Sequence, residues 1–254
     1  GMRGISKQAK VRTMAVLLSV GCSVGAMADY LTWKERGDAG WADPASYEEN
    51  KVPNENDIVN IPDGKTAVAY DSDMDTVKKL KAVVFGSRTS KIVFDVSEDH
   101  EITCSIAGGE DTSKTNDERA GVIEKIGTGM LWLKNDTSLF QYCAEIVVNN
   151  GILRLPTVTN SNRNQTYRKL TVNKPGILYT VTNNESPVNI VHFRGPLYGD
   201  GLVTNPTPGK VQYYPIWNSP NNIPVFLGKF GGRISISAPD ANCYQDFTGS
   251  GSVN

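Results

Sequence analysis

The chain has 254 residues, 26 Lys and Arg against 27 Asp and Glu, and 39% hydrophobic residues. That length and composition supply one large domain or one long solenoid. A formal net charge of -1 excludes the basic excess by which nucleic-acid binders displace phosphate counterions, and it gives no cationic surface for anionic lipid.

Residues 1–28 read as an export signal. Lys7, Lys10 and Arg12 form a positive start. Met14 to Val24 is an apolar run too short for a stable membrane anchor, and Ala26-Met27-Ala28 is a small-residue cleavage site leaving Asp29 as the new N-terminus. A short buried helix is the competing reading, and Cys22 in SVGC offers a lipid-anchored variant. Cleavage leaves Cys104, Cys143 and Cys243, an odd number, so at least one thiol stays unpaired within a monomer. None stands in a CxxC or Cys/His cluster, so neither a zinc site nor another cofactor is expected. Cys104 and Cys143 lie in strand-like runs and read as small buried apolar residues, with a disulfide between them as the alternative.

Segment 29–64 carries an ordered string, W-x7-W-x-DPASY followed by VPNENDIVNIPDGK. Trp33, Trp41 and Tyr47 suit a lid, because a solenoid needs an atypical end unit over its open core and each aromatic buries a large area. One helix is predicted, over Asp75 to Ala82. Elsewhere short β-branched and aromatic runs (DIVNIP, TAVAY, KIVFDV, EITCSI, RISISA) are bounded by Gly, Asn, Asp and Pro, the pattern of an all-β chain.

A repeat organises those runs. Gly129 leads MLWL, Gly151 leads ILRL, Gly176 leads ILYT, Gly201 leads LVT and Gly232 leads RISIS, at spacings of 22, 25, 25 and 31. Upstream of each stands a second short run: VIEKI, EIVV, KLTV, VHF and VFLGKF. A period in the twenties predicts stacked coils. The fold expected is a single-stranded right-handed parallel β-helix, a β-solenoid over 65–254 with its best units at 122–204. A β-sandwich is the alternative, in which EIVVNNGILRLP and KLTVNKPGILYT are hairpins with tight turns.

Candidate chemistry is sparse. His100 and His192 are the only histidines, and no P-loop, GxSxG or HExxH motif is present. Asp71, Asp73 and Asp75 resemble the start of a calcium loop, but Thr76 and Ala82 stand where an EF-hand needs Gly and Glu; a solvated acidic turn is the plainer reading. Glu124 and Glu145 fall in successive upstream strands, where stacking brings carboxylates together as a polysaccharide-degrading β-helix would need. Lys125 next to Glu124 makes a surface charge ladder the plainer reading. Tyr213, Tyr214 and Trp217 cluster in YYPIW as candidate ligand-contact aromatics, against a role as a C-terminal cover. No catalytic, metal or cofactor residues are assigned.

The unit KIGTGMLWLKNDTSLFQYCAEIVVNNGILRL at 125–155 resembles the autotransporter-associated β-strand repeat. Gly127, Gly129, Leu131, Leu133, Tyr142, Val147, Asn150, Gly151, Leu153 and Leu155 take the matching places. The W…W.DP..Y…P…D.V.IP segment resembles the cap that precedes such repeats in exported bacterial proteins. The resemblance implies a passenger-type scaffold or adhesin on the outer-membrane surface or released from it, without catalytic residues. It implies host or matrix glycans or proteins as partners, and an anchoring C-terminal part beyond the GSGSVN at which this sequence stops. A glycan-binding module is the alternative function.

Overall fold

The computed structural model describes residues 28–34, 40–108, 121–134, 145–156, 164–181, 191–207, 209–215, 221–237 and 244–253. Strand β1 (Tyr30–Thr32) leads through the aromatic segment to β2 (Ile58–Ile61) and β3 (Thr66–Tyr70). A short helical piece, a 3-10 turn at Asp71–Asp73 running into α1 (Met74–Val77), forms the third side of that coil. The next coil is β4 (Ala82–Phe85), β5 (Lys91–Asp95) and β6 (His100–Ile102), and the one after is β7 (Ser105–Gly108), β8 (Val122–Ile126) and β9 (Met130–Leu133). There follow β10 (Glu145–Val148) and β11 (Ile152–Arg154), then β12 (Asn164–Thr166), β13 (Lys169–Val172) and β14 (Ile177–Tyr179). The last strands are β15 (Val191–Arg194), β16 (Leu197–Tyr198), β17 (Leu202–Asn205), β18 (Val211–Tyr214), β19 (Lys229–Gly232), β20 (Ile234–Ile236) and β21 (Gly251–Val253).

Every strand pairs with the strand one coil earlier or later, and the ladders are parallel. The sheets run β1-β2-β4-β7, β3-β5-β8-β10-β13-β16, β6-β9-β11-β14-β17-β19-β21 and β12-β15-β18-β20. This is a β-solenoid and excludes the hairpin sandwich. A hairpin pairs consecutive strands antiparallel, whereas β10 and β11, the two arms of EIVVNNGILRL, lie in different sheets.

Alternation within each strand sends every second side chain inward. On the six-stranded sheet Ala67, Ile92, Ile123, Ile146, Leu170 and Leu197 stand in register, all fully buried. On the seven-stranded sheet Leu131, Leu153, Leu178 and Val203 do the same. One coil cannot bury such a column, but stacked coils bury each rung between two others, at about 1.5–3 kcal/mol per large aliphatic side chain.

The repeat glycines form a column at the corner before the seven-stranded sheet. Ile152, Ile177, Leu202 and Lys229 donate their N–H groups to the carbonyls of Gly129, Gly151, Gly176 and Gly201. A Cβ on Gly176 would sit 2.6 Å from the Val148 carbonyl oxygen, so contact demands glycine there. Gly151 adds a φ of +64, which suits the Asn-Gly turn. The fifth member of the column is Gly228, whose Cβ would meet the Gly201 carbonyl at 2.1 Å. That corrects the expected Gly232, which lies inside β19, while the ISI of RISIS is β20 in another sheet. Likewise VHF belongs to the four-stranded sheet with β12, and the strand of the six-stranded sheet in that coil is Leu197–Tyr198.

The expected helix over 75–82 is a single turn at Met74–Val77, and Ala82 already begins β4. Val77 and Leu80 are buried against the core, so the segment is one side of a coil and has room for little more than a turn. The aromatic segment closes the N-terminal end as a lid. Trp33, Trp41 and Tyr47 are at most 1% exposed, with Trp33 4.7 Å from Trp41 and edge-on to Tyr47 at 5.6 Å. The Trp41 indole N–H donates to the Val68 carbonyl (2.9 Å). Asp73 accepts from the backbone N–H groups of Trp41 (2.9 Å) and Tyr70 (3.0 Å), tying the lid to the coil beneath.

Candidate functional site

Glu124 and Glu145 both project from the exterior of the six-stranded sheet, half-buried. The register sets Glu145 opposite Val122 and Glu124 opposite Val147, so the two carboxylates are diagonal rather than stacked. Each is neutralised across coils. Glu124 accepts from Lys91 Nζ (2.9 Å) and Asn149 Nδ2 (2.7 Å). Glu145 accepts from Arg168 Nη2 (3.1 Å) and stands 3.4 Å from Lys169 Nζ. Asn149 Oδ1 in turn accepts from Asn173 Nδ2 (2.8 Å). The result is one hydrogen-bonded line, Lys91–Glu124–Asn149–Asn173, running along the solenoid axis. A paired acid and base for glycoside cleavage need an open approach between them, and here each carboxylate already holds cations or amides from adjacent coils. Lys125, read as part of the surface ladder, instead points inward between Phe94 and Val148 and is fully buried.

The Asp71 corner is the one group among the described residues with metal-ligand composition. Ligand atoms of Asp71, Glu98 and His100 all lie within 4.8 Å of one another. Asp71 Oδ2 accepts from Ser97 N (3.0 Å) and Ser97 Oγ (2.7 Å), and Oδ1 accepts from Glu98 N (3.2 Å). His100 Nε2 is 2.7 Å from Asp71 Oδ1, and Lys78 Nζ is 3.2 Å from His100 Nδ1. An ammonium only donates, so Nδ1 accepts and Nε2–H donates to the carboxylate. The Ser97 backbone N–H foremost, with the Ser97 hydroxyl and His100, holds the Asp71 carboxyl well below the usual range. Two ligands of one zinc at about 2.1 Å stand roughly 3.4 Å apart in a tetrahedron; the 2.7 Å contact is a hydrogen bond that joins one coil to the next. The acidic turn at Asp71, Asp73 and Asp75 is not wholly solvated as expected: Asp73 is buried and turns to the lid, while Asp71 turns to residues 97–100, so these two carboxylates serve different contacts.

The exterior of the seven-stranded sheet carries an apolar column. Met130, Ile152, Ile177 and Leu202 stand in one outward column that ends at Lys229, and Trp132, Arg154, Tyr179 and Thr204 stand in the next. Arg154 lies over the Trp132 ring at 3.8 Å and Lys134 at 4.5 Å. A groove of about 320 Å³ opens on the first column, floored by Pro175, Ile177 and Leu202 and rimmed by Lys174, Asp200 and Lys229.

The predicted aromatic cluster is not a set of exposed rings. Tyr213 is fully buried, donates its hydroxyl to the Gly195 carbonyl and packs against Phe230 and Phe247. Its strand, β18, alternates so that residue 213 faces the core, which removes it from any surface ligand. Tyr214 faces outward with Arg194, its register partner, over the ring at 5.2 Å. Trp217, Cys143 and Cys243, and residues 1–27 with Cys22, lie outside the described residues. Cys104 is a buried free thiol, and burial pushes its pKa up to about 12. His192 falls in β15.

Sequence reading did not find the Asp71–His100–Lys78 contact, since residues 22 to 29 apart meet only once the coil length is known. Comparison with protein-family models, curated proteins and solved structures gives no match.

Proposed function

We propose that this protein is an exported, non-enzymatic β-solenoid scaffold of the autotransporter-passenger type, working at the cell surface or after release from it. The observation that carries the reading is how the outer polar groups are used. Glu124, Glu145, Asp71, Glu101 and Asp200 each meet a basic side chain. Three of the outer rings carry cations from neighbouring residues or coils: Arg154 on Trp132, Arg194 on Tyr214 and Lys169 on Tyr198. Groups held in such rungs stiffen a stack. They are poorly placed to do chemistry on a substrate, and stacking of sugars on those rings would first have to displace a cation. The order of charge, apolar run and small-residue site at 1–28 supports export.

The test is expression of the whole chain in a Gram-negative host, followed by N-terminal sequencing and fractionation. A mature protein starting at Asp29 and found beyond the inner membrane is the expected result. Cytoplasmic protein that keeps residues 1–28 would overturn the export reading. Turnover of an acidic or neutral polysaccharide that Glu124→Gln or Glu145→Gln abolishes would overturn the scaffold reading.

A further inference from the structure

Asp57, at the entry to β2, is a carboxylate kept almost out of water, 3% exposed. Its Oδ2 accepts the backbone N–H of Asn54 (2.7 Å). Its Oδ1 accepts the backbone N–H of Asp29 (2.9 Å), 28 residues earlier. The cation it meets is Lys51, whose Nζ stands 3.9 Å from Oδ2 and is also taken up by the side-chain carboxylate of Asp29. A buried negative charge is thus met by two neutral amides and one distant, shared ammonium, and such a charge is costly until it is closely paired.

Asp29 is the residue at which the export signal is read to end. Its carbonyl accepts from Ile58 N–H (2.9 Å), and Tyr30 pairs with Ile58 in the parallel ladder. The backbone at Asp29 is therefore held on both sides, with its nitrogen aimed at Asp57. Hydrolysis of the Ala28–Asp29 peptide bond by the leader peptidase of an export pathway consumes one water. It leaves a carboxylate on Ala28 and an amine on Asp29, which takes a proton at neutral pH. The nitrogen that donated one neutral N–H then carries a positive charge beside a buried carboxylate. A charge-assisted hydrogen bond of this kind is roughly twice as strong as a neutral one.

We infer that Asp57 is the receptor for the processed N-terminus: cleavage after Ala28 creates an α-ammonium–Asp57 ion pair that locks β1 onto β2. The inference rests on the export reading, since that cleavage makes the terminus. The lock acts on a weak element. β1 is three residues long and lies at the edge of its sheet, yet it sets Leu31 in the core and leads straight into Trp33 of the lid. Removal of the leader is in this way coupled to closure of the N-terminal end.

Urea denaturation at pH 7 of three forms tests it. The first is the full 254-residue chain. The second begins at Asp29, released from a fusion tag cut immediately before that residue. The third is the second with its α-amine acetylated, which restores a neutral amide in the same place. The free Asp29 form should have a folding constant roughly tenfold above the other two, and Asp57→Asn should erase that advantage. Where Asp57→Asn does not fold, the acetylated form still decides. Equal stability of the three forms, an advantage that survives acetylation, or one that persists in Asp57→Asn would each overturn the proposal. The tag supplies the terminus, so this outcome is independent of where a cell cuts the chain, and N-terminal sequencing of the exported protein reports on that separately.

Discussion

Lys125 occupies a rung that its neighbours fill with Phe94, Val148 and Val172. Its ammonium is satisfied by the carbonyls of Ile126 (2.5 Å), Gly127 (2.9 Å) and Val96 (3.4 Å), so a cation secures the corner where the chain turns. Burial pushes its pKa from 10.5 down to about 8, against the pull of Asp95, Asp71 and Asp99. Between about pH 8 and 10.5 the unfolded chain therefore binds more protons than the folded one, and stability rises with pH across that window. Comparing urea denaturation of wild type and Lys125→Met at pH 7 and pH 10 isolates the effect. Wild type should gain roughly 2 kcal/mol on the variant between the two, and a difference independent of pH would remove the argument. Glycines give a second contrast at this scale. Gly151 and Gly64 share a positive φ, but a Cβ on Gly151 would lie 2.5 Å from two carbonyl oxygens whereas one on Gly64 meets nothing within 4 Å. Gly64→Ala should cost about 1 kcal/mol and Gly151→Ala about 3 kcal/mol or more, measured by the same denaturation.

At the scale of elements, the lid depends on one side chain more than its size suggests. Asp73 is 4% exposed and holds the N–H groups of Trp41 and Tyr70. Asp73→Ala leaves both donors buried without their acceptor and should cost about 3 kcal/mol. Tryptophan fluorescence should shift red at denaturant concentrations where the rest of the far-UV signal holds; simultaneous loss would show the lid is not a separate unit. Much of the strand content was legible in the sequence, and TAVAY is β3 residue for residue. Short-range alternation and turn chemistry carry that information. The pairing of Gly228 with Gly201 was not legible, because their spacing of 27 exceeds the earlier spacings and a second Gly-then-strand pattern follows at 232. Tyr213 was misplaced because composition marks an aromatic cluster without saying which ring alternation turns inward. Of the candidate chemistry, the sequence singled out Asp71, His100, Glu124 and Glu145 separately. Only the coil length reveals that His100 meets Asp71 while Glu124 and Glu145 are held apart by Lys91, Asn149 and Arg168.

For the whole molecule, stacking makes stability a chain of neighbour terms. Each coil touches the coils above and below, so a defect should be felt by adjacent rungs and fade beyond them. The isoleucine column allows a direct measurement. Ile123 and Ile146 are register partners and both fully buried. Ile92 and Leu170 share the column but are separated by those two rungs, about 14 Å along the axis at the usual strand spacing. Each single change to alanine should cost about 2–5 kcal/mol through lost burial and the cavity left behind. Ile123→Ala with Ile146→Ala should depart from additivity by at least about 0.5 kcal/mol, since the second truncation enlarges the cavity made by the first. Ile92→Ala with Leu170→Ala should be additive to within about 0.5 kcal/mol. Equal coupling in the two pairs would mean that the coils respond as one globular core. That outcome would weaken the scaffold reading too, because a stiff stack that tolerates varied loops needs its damage to stay local.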